Sequence, residues 1–72
     1  MDNENKLSDI SAALKQVREA IIKSGYDPVV QLSGYILSED PTYIPVTDGA
    51  RSIIRQLDRD DILAEMIKNY LE

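Results

Sequence analysis

Asp27-Pro28-Val29-Val30-Gln31-Leu32-Ser33-Gly34-Tyr35-Ile36-Leu37-Ser38-Glu39-Asp40-Pro41 reads as one helix with both of its ends specified. Asp27 can accept hydrogen bonds from the free amides of the first turn, and Pro28 loses nothing at the first helical position. At the far end Asp40-Pro41 stops the helix, because the residue before proline is steered out of the helical region and aspartate favours a turn. In between, Val29, Val30, Leu32, Tyr35, Ile36 and Leu37 surround the axis almost completely, leaving Gln31, Ser33, Gly34 and Ser38 as weak polar positions. Such a helix is expected to be central and buried. Gly34 costs up to about 1 kcal/mol against alanine, which is reasonable where another backbone approaches closely.

Before this stretch, Leu7, Ile10, Leu14, Val17 and Ile21 recur at helical spacing, with Ala13, Ala20 and Ile22 widening the stripe. Ser8 is the expected N-cap, Gly25 the left-handed residue that closes the helix, and residues 1–6 a flexible tail. After it, Thr42-Tyr43-Ile44-Pro45-Val46 has β-branched and aromatic character with a proline inside, so a short extended segment near Tyr43–Val46 is expected. Thr47-Asp48-Gly49 offers a cap for a third helix carrying Ala50, Ile53, Ile54 and Leu57. Asp58 and Asp61 form an aspartate version of the capping box for a fourth, whose apolar face is Ile62, Leu63, Met66, Ile67, Tyr70 and Leu71. The pattern predicts an all-α domain over residues 7–72, with helices at Ser8–Ser24, Pro28–Ser38, Asp48–Leu57 and Arg59–Leu71.

At 72 residues there is room for one domain, and at this size folding hides only about 60% of the unfolded chain's surface. Cysteine and histidine are both absent, which excludes disulfides, thiolate chemistry and the usual zinc sites, so self-association is the favoured way to complete the core. Eight basic against 13 acidic residues give a net charge of −5, the wrong sign for a general nucleic-acid surface. No apolar run approaches the roughly 20 residues of a membrane span, and Met1–Lys6 lacks the features of a secretory signal, so a cytoplasmic location is expected.

The residues give little support to catalysis. A general base would have to be a carboxylate, lysine or tyrosine, and the densest acidic group, Asp58, Asp60 and Asp61, is explained by its place at a helix start. No cofactor or metal is expected. Arg51, Arg55 and Arg59 stand four apart and would form a basic stripe if the helical register continued. They are the candidate contacts for an anion or a partner, against the plainer reading of a solvated face. Tyr26, Tyr35, Tyr43 and Tyr70 are the only aromatics, with packing as their default role. Thr42 and Thr47 are candidate modification sites whose turn and cap duties account for them more simply.

Gly25-Tyr26-Asp27-Pro28, Gln31, Gly34-Tyr35-Ile36-Leu37-Ser38 and Asp40-Pro41-Thr42-Tyr43-Ile44-Pro45 together form a more specific pattern. It continues through Ala50-Arg51, Ile54-Arg55, Arg59-Asp60 and Tyr70-Leu71, and it resembles the IreB family of small regulatory proteins from Gram-positive bacteria. That resemblance implies a non-enzymatic, mainly helical homodimer acting through protein binding. It would be linked to a transmembrane Ser/Thr kinase and phosphatase that govern cell-envelope stress and cephalosporin resistance. Family members carry threonines that the kinase phosphorylates in a longer N-terminal segment. Met1–Lys6 holds neither serine nor threonine, so no phosphorylation site is carried over.

The expected assembly is a closely packed or intertwined two-fold dimer. Its contact would use Gly34, Leu37, Tyr43, Ile62, Met66 and Tyr70. The expected partners are a second copy and a cytosolic regulatory target or kinase-pathway component, with no nucleic acid and no membrane insertion. The alternative function is a structural or assembly module without phosphoregulation.

Overall fold

Among the described residues the chain forms four α-helices: α1 at Asp2–Lys23, α2 at Pro28–Ser38, α3 at Ala50–Arg55 and α4 at Arg59–Leu71. Single 3-10 turns at Pro41–Tyr43 and Thr47–Gly49 join α2 to α3, and no strand occurs among the described residues. The computed structural model describes the backbone of residues 2–72 and the side chains of residues 9–72.

Local chemistry sets most boundaries. At the end of α1, Gly25 has φ 87°; its amide donates to the Ile22 carbonyl (2.9 Å), and the Tyr26 amide to the Ile21 carbonyl (3.1 Å). This paired closure needs a left-handed residue, which glycine supplies without a Cβ clash. Asp27 caps α2 by accepting from the Val29 amide at 2.8 Å, with Pro28 at the first helical position. Glu39 ends α2 in the left-handed region (φ 61°), its amide donating to the Tyr35 carbonyl at 2.8 Å.

Two helix starts, one helix end and one cap differ from the sequence reading, the end being that of the third helix, at Arg55 rather than Leu57. The α1 backbone is helical from Asp2 rather than from Ser8, since Glu4, Lys6 and Leu7 are good helix formers and nothing in between breaks a helix. Met1 and the side chains of the expected flexible tail lie outside the described residues. The third helix starts at Ala50 rather than Asp48, because Asp48 (φ 53°) and Gly49 (φ 73°) are successive left-handed residues that no α-helix accommodates. Asp58 stands at the N-cap of α4 but its side chain makes no capping bond; Asp60 and Asp61 still place negative charge in the first turn.

The expected extended segment is not a strand. Ile44 takes extended angles (φ −106°, ψ 129°) after the 3-10 turn, but Val46 (φ −81°, ψ −8°) does not. The carbonyls a neighbouring strand would need are already satisfied: Tyr43 by Gln31 Nε2 (2.9 Å), Ile44 by Arg51 Nε (2.8 Å) and Pro45 by the Arg51 amide (3.1 Å). Ile44 itself is fully buried, so the connector acts as a plug in the core.

The core joins Val17, Ala20 and Ile21 of α1 to Tyr35, Ile44, Ala50, Ile54 and Ile62, with Leu14, Leu32, Ile36, Ile53, Leu57 and Met66 packed around them. The central helix is therefore α1, not α2. At 22 residues α1 spans about 33 Å and reaches all three other helices, whereas α2 buries only Tyr35 and leaves Val29 73% and Leu37 85% exposed. The Cα radius of gyration, 11.7 Å, is close to the roughly 11 Å expected of a compact chain of this length.

Candidate interaction surface

Helices α2 and α4 each pack on α1 but barely on each other, and the gap between them is an open groove of about 520 Å³. From α2 it is lined by Pro28, Val29, Leu32, Ser33, Ile36 and Leu37, and from α4 by Leu63 and Met66. Arg18 of α1 is the one charged residue of this lining among the described residues, and its guanidinium is paired with Glu19 at 2.6 Å in the open. Ile67, Tyr70 and Leu71 follow Leu63 along α4 at helical spacing, and all four are exposed. Apolar side chains exposed along two neighbouring helices of so small a protein form the kind of surface that marks a protein contact.

The residues expected at a dimer contact separate into distinct groups. Leu37 and Tyr70 are exposed (85% and 88%), and Met66 lines the groove. Ile62, in contrast, is fully buried against its own chain and is unavailable to a second copy, because α4 turns this residue toward α1. Gly34 is also occupied from within. A Cβ built there would lie 2.8 Å from Tyr43 Cζ and nearer still to Cδ1 and Cε1, so the backbone approach that Gly34 permits is that of the Tyr43 ring. Tyr43 remains 39% exposed on its outer side. The Asp40-Pro41 break was legible in the sequence, but the left-handed Glu39 that folds residues 41–44 back over the end of α2 was not.

The basic stripe is broken, because α3 ends at Arg55 and α4 begins at Arg59 on a new axis. Arg51 is half-buried and holds the connector through the Ile44 carbonyl. Arg59 closes α2: Nη1 donates to the Ile36 carbonyl, and Nη2 pairs with Glu39 Oε2 at 2.8 Å. Arg55 is exposed, beside Val46, Ser52 and Gln56 in a separate, more polar hollow.

Two polar features escaped the sequence reading. Asp40 accepts from both the Thr42 hydroxyl (2.7 Å) and the Thr42 amide (3.0 Å). These bonds, the hydroxyl first, hold its carboxyl below the ordinary value of 3.8; desolvation opposes them, and the positive charge of Arg51 adds the least. Glu65 is buried on the inner face of α4, with Oε2 accepting from Asn69 at 3.3 Å and Oε1 without a hydrogen-bond partner among the described residues. Its spacing from Ile62 marks it as inward-facing, but charge alone argues for the surface.

The described polar groups thus mostly hold backbone in place, while the groove between α2 and α4 is lined mostly by apolar side chains. The sequence model of the IreB regulatory phosphoprotein family matches residues 1–72, the entire chain, and the protein belongs to that family.

Proposed function

We propose that this protein is a non-enzymatic cytosolic regulator that acts through protein binding as a homodimer, in Ser/Thr-kinase-linked control of cell-envelope stress or antibiotic resistance. The observation that carries the binding reading is the α2–α4 groove, whose walls are mostly apolar and whose Val29 and Leu37 stand largely in solvent, with Tyr70 exposed further along α4. A second copy supplies a matching surface, since the exposed stripe of α4 is itself an amphipathic helix face of the kind that fills such grooves. A two-fold contact of this type uses Leu37, Met66 and Tyr70 with the outer side of Tyr43 at its edge, and leaves Ile62 inside each protomer. Family membership supports the regulatory role. The hollow beside Arg55 is the proposed contact for a regulatory target, because its guanidinium is exposed while those of Arg51 and Arg59 are engaged in the fold.

Multi-angle light scattering on the wild type and Leu37→Arg tests the dimer. The wild type is expected at twice the chain mass at micromolar concentration and the variant at the chain mass, with unchanged helical circular dichroism. A wild type that stays at the chain mass at 100-fold higher concentration removes this reading.

A further inference from the structure

The described serine and threonine hydroxyls are not equally reachable. Ser11, Ser33 and Ser52 lie within α-helices, and Ser38 donates to the Gly34 carbonyl at 2.6 Å in the last turn of α2. Ser24 and Thr47 are half-buried and hydrogen-bond each other at 2.8 Å. Thr42 alone among them is both exposed and outside an α-helix. It lies in a three-residue 3-10 turn whose backbone bonds are Tyr43 amide to Asp40 carbonyl (3.2 Å) and Ile44 amide to Pro41 carbonyl (3.0 Å). An enzyme that modifies a hydroxyl must draw its segment into an active-site cleft, and a short 3-10 turn opens at lower cost than an α-helix.

We propose that Thr42 is a phosphoacceptor and that phosphate at this position detaches Tyr43 from Gly34. The proposal rests on the reading of this chain as a phosphoregulated protein. In the transfer, Thr42 Oγ1 attacks the γ-phosphorus of a nucleoside triphosphate bound to a protein kinase. The new O–P bond replaces the one to the bridging oxygen, the nucleoside diphosphate leaves with that electron pair, and the hydroxyl proton passes to the kinase's base.

The consequence follows from the neighbours. The Thr42 hydroxyl is the donor to Asp40 Oδ1, and phosphorylation removes that donor while setting a charge of about −1.5 to −2 against the carboxylate. The single positive charge of Arg51, which already favours the Asp40 carboxylate and whose Nε donates to the Ile44 carbonyl, offsets only part of this added negative charge. The Asp40 cap is therefore weakened to the bond from the Thr42 amide, made against a charge repulsion that the unmodified turn lacks. Tyr43, the next residue, rests its ring on Gly34, accepts from Gln31 Nε2 at its carbonyl and donates its amide to the Asp40 carbonyl. Its release uncovers the α2 backbone at Gly34 while Ile44 stays buried in the core.

Two measurements test this. The protein is isolated from its own cells with phosphatases inhibited, and its phosphates are localised by tandem mass spectrometry. Phosphate on Thr42 is the expected result. Phosphate confined to other residues overturns the Thr42 assignment and leaves phosphoregulation standing, whereas no phosphate at any residue overturns both. In parallel, the full chain is synthesised with phosphothreonine at 42 and compared by NMR with the unmodified chain and with Thr42→Ala. The Gly34 α-protons, shifted by the Tyr43 ring current in the unmodified chain and in Thr42→Ala, are expected to return to ordinary values in the phosphorylated chain alone. Unchanged shifts, or loss of the whole helical signal in circular dichroism, overturn the detachment.

Discussion

Gly34 and Tyr43 make the clearest residue-level case. Adding a methyl at Gly34 drives it into the aromatic ring, an overpacking that costs about 1–3 kcal/mol and outweighs the roughly 1 kcal/mol that alanine gains in a helix. Gly34→Ala is therefore expected to lower stability in urea denaturation. In a Tyr43→Ala background, with the ring gone, the same substitution should raise it, and that reversal of sign is the test. Asp40 supplies a second case. Its carboxyl is held low chiefly by the Thr42 hydroxyl, so the folded state favours the charged form. The resulting stabilisation is complete above the ordinary value of 3.8 and disappears as pH falls through the lowered folded value. Thr42→Val should move the Asp40 carboxyl titration, followed by carbon NMR, upward toward that ordinary value. The sequence showed that Gly34 needed space, since a glycine in mid-helix weakens the helix unless a neighbour packs where a side chain would stand. It did not show which atoms would fill that space, because a contact between residues nine apart depends on how the turn between them folds.

Where an element ends was legible when one residue carries the stop. Gly25 and Asp27-Pro28 act through their own backbone geometry, and the structure follows them. Boundaries that depend on partners elsewhere were not legible. The C-terminal turn of α2 is completed by Arg59, which lies beyond α3 and reaches the Ile36 carbonyl from the start of α4. Arg59→Met keeps the aliphatic stem and removes the charged bonds. It is expected to cost about 1 kcal/mol, below the usual range for a charged hydrogen bond because the side chain is 34% exposed. Glu39→Gln, at a side chain 69% exposed, should change little. Hydrogen exchange of the amides at the end of α2 would separate the two, rising in the first variant and staying near wild type in the second.

For the molecule as a whole, counting apolar residues around a helix axis does not decide which helix is central. The α2 sequence is almost uniformly apolar, yet length and reach place α1 at the centre, and the surplus apolar surface of α2 becomes a groove wall. The two kinds of apolar residue on α4 should respond differently. Ile62→Ala removes a fully buried side chain and is expected to cost about 2–5 kcal/mol in thermal or urea unfolding. Tyr70→Ala, at a residue 88% exposed, should leave the unfolding of an isolated protomer nearly unchanged and weaken only self-association, read as a shift in the concentration dependence of sedimentation.

The hydroxyl pair of Ser24 and Thr47 ties the corner after α1 to the corner before α3, and neither residue lines the groove. In a protein without a single cysteine, that corner is a natural place to install a covalent staple. Oxidised Ser24→Cys/Thr47→Cys would close a loop of moderate length and restrict the unfolded chain by about 3 kcal/mol, raising the melting temperature reversibly with dithiothreitol. A protomer locked in this way would let pairing be dissected at dilutions where the unlocked chain begins to melt.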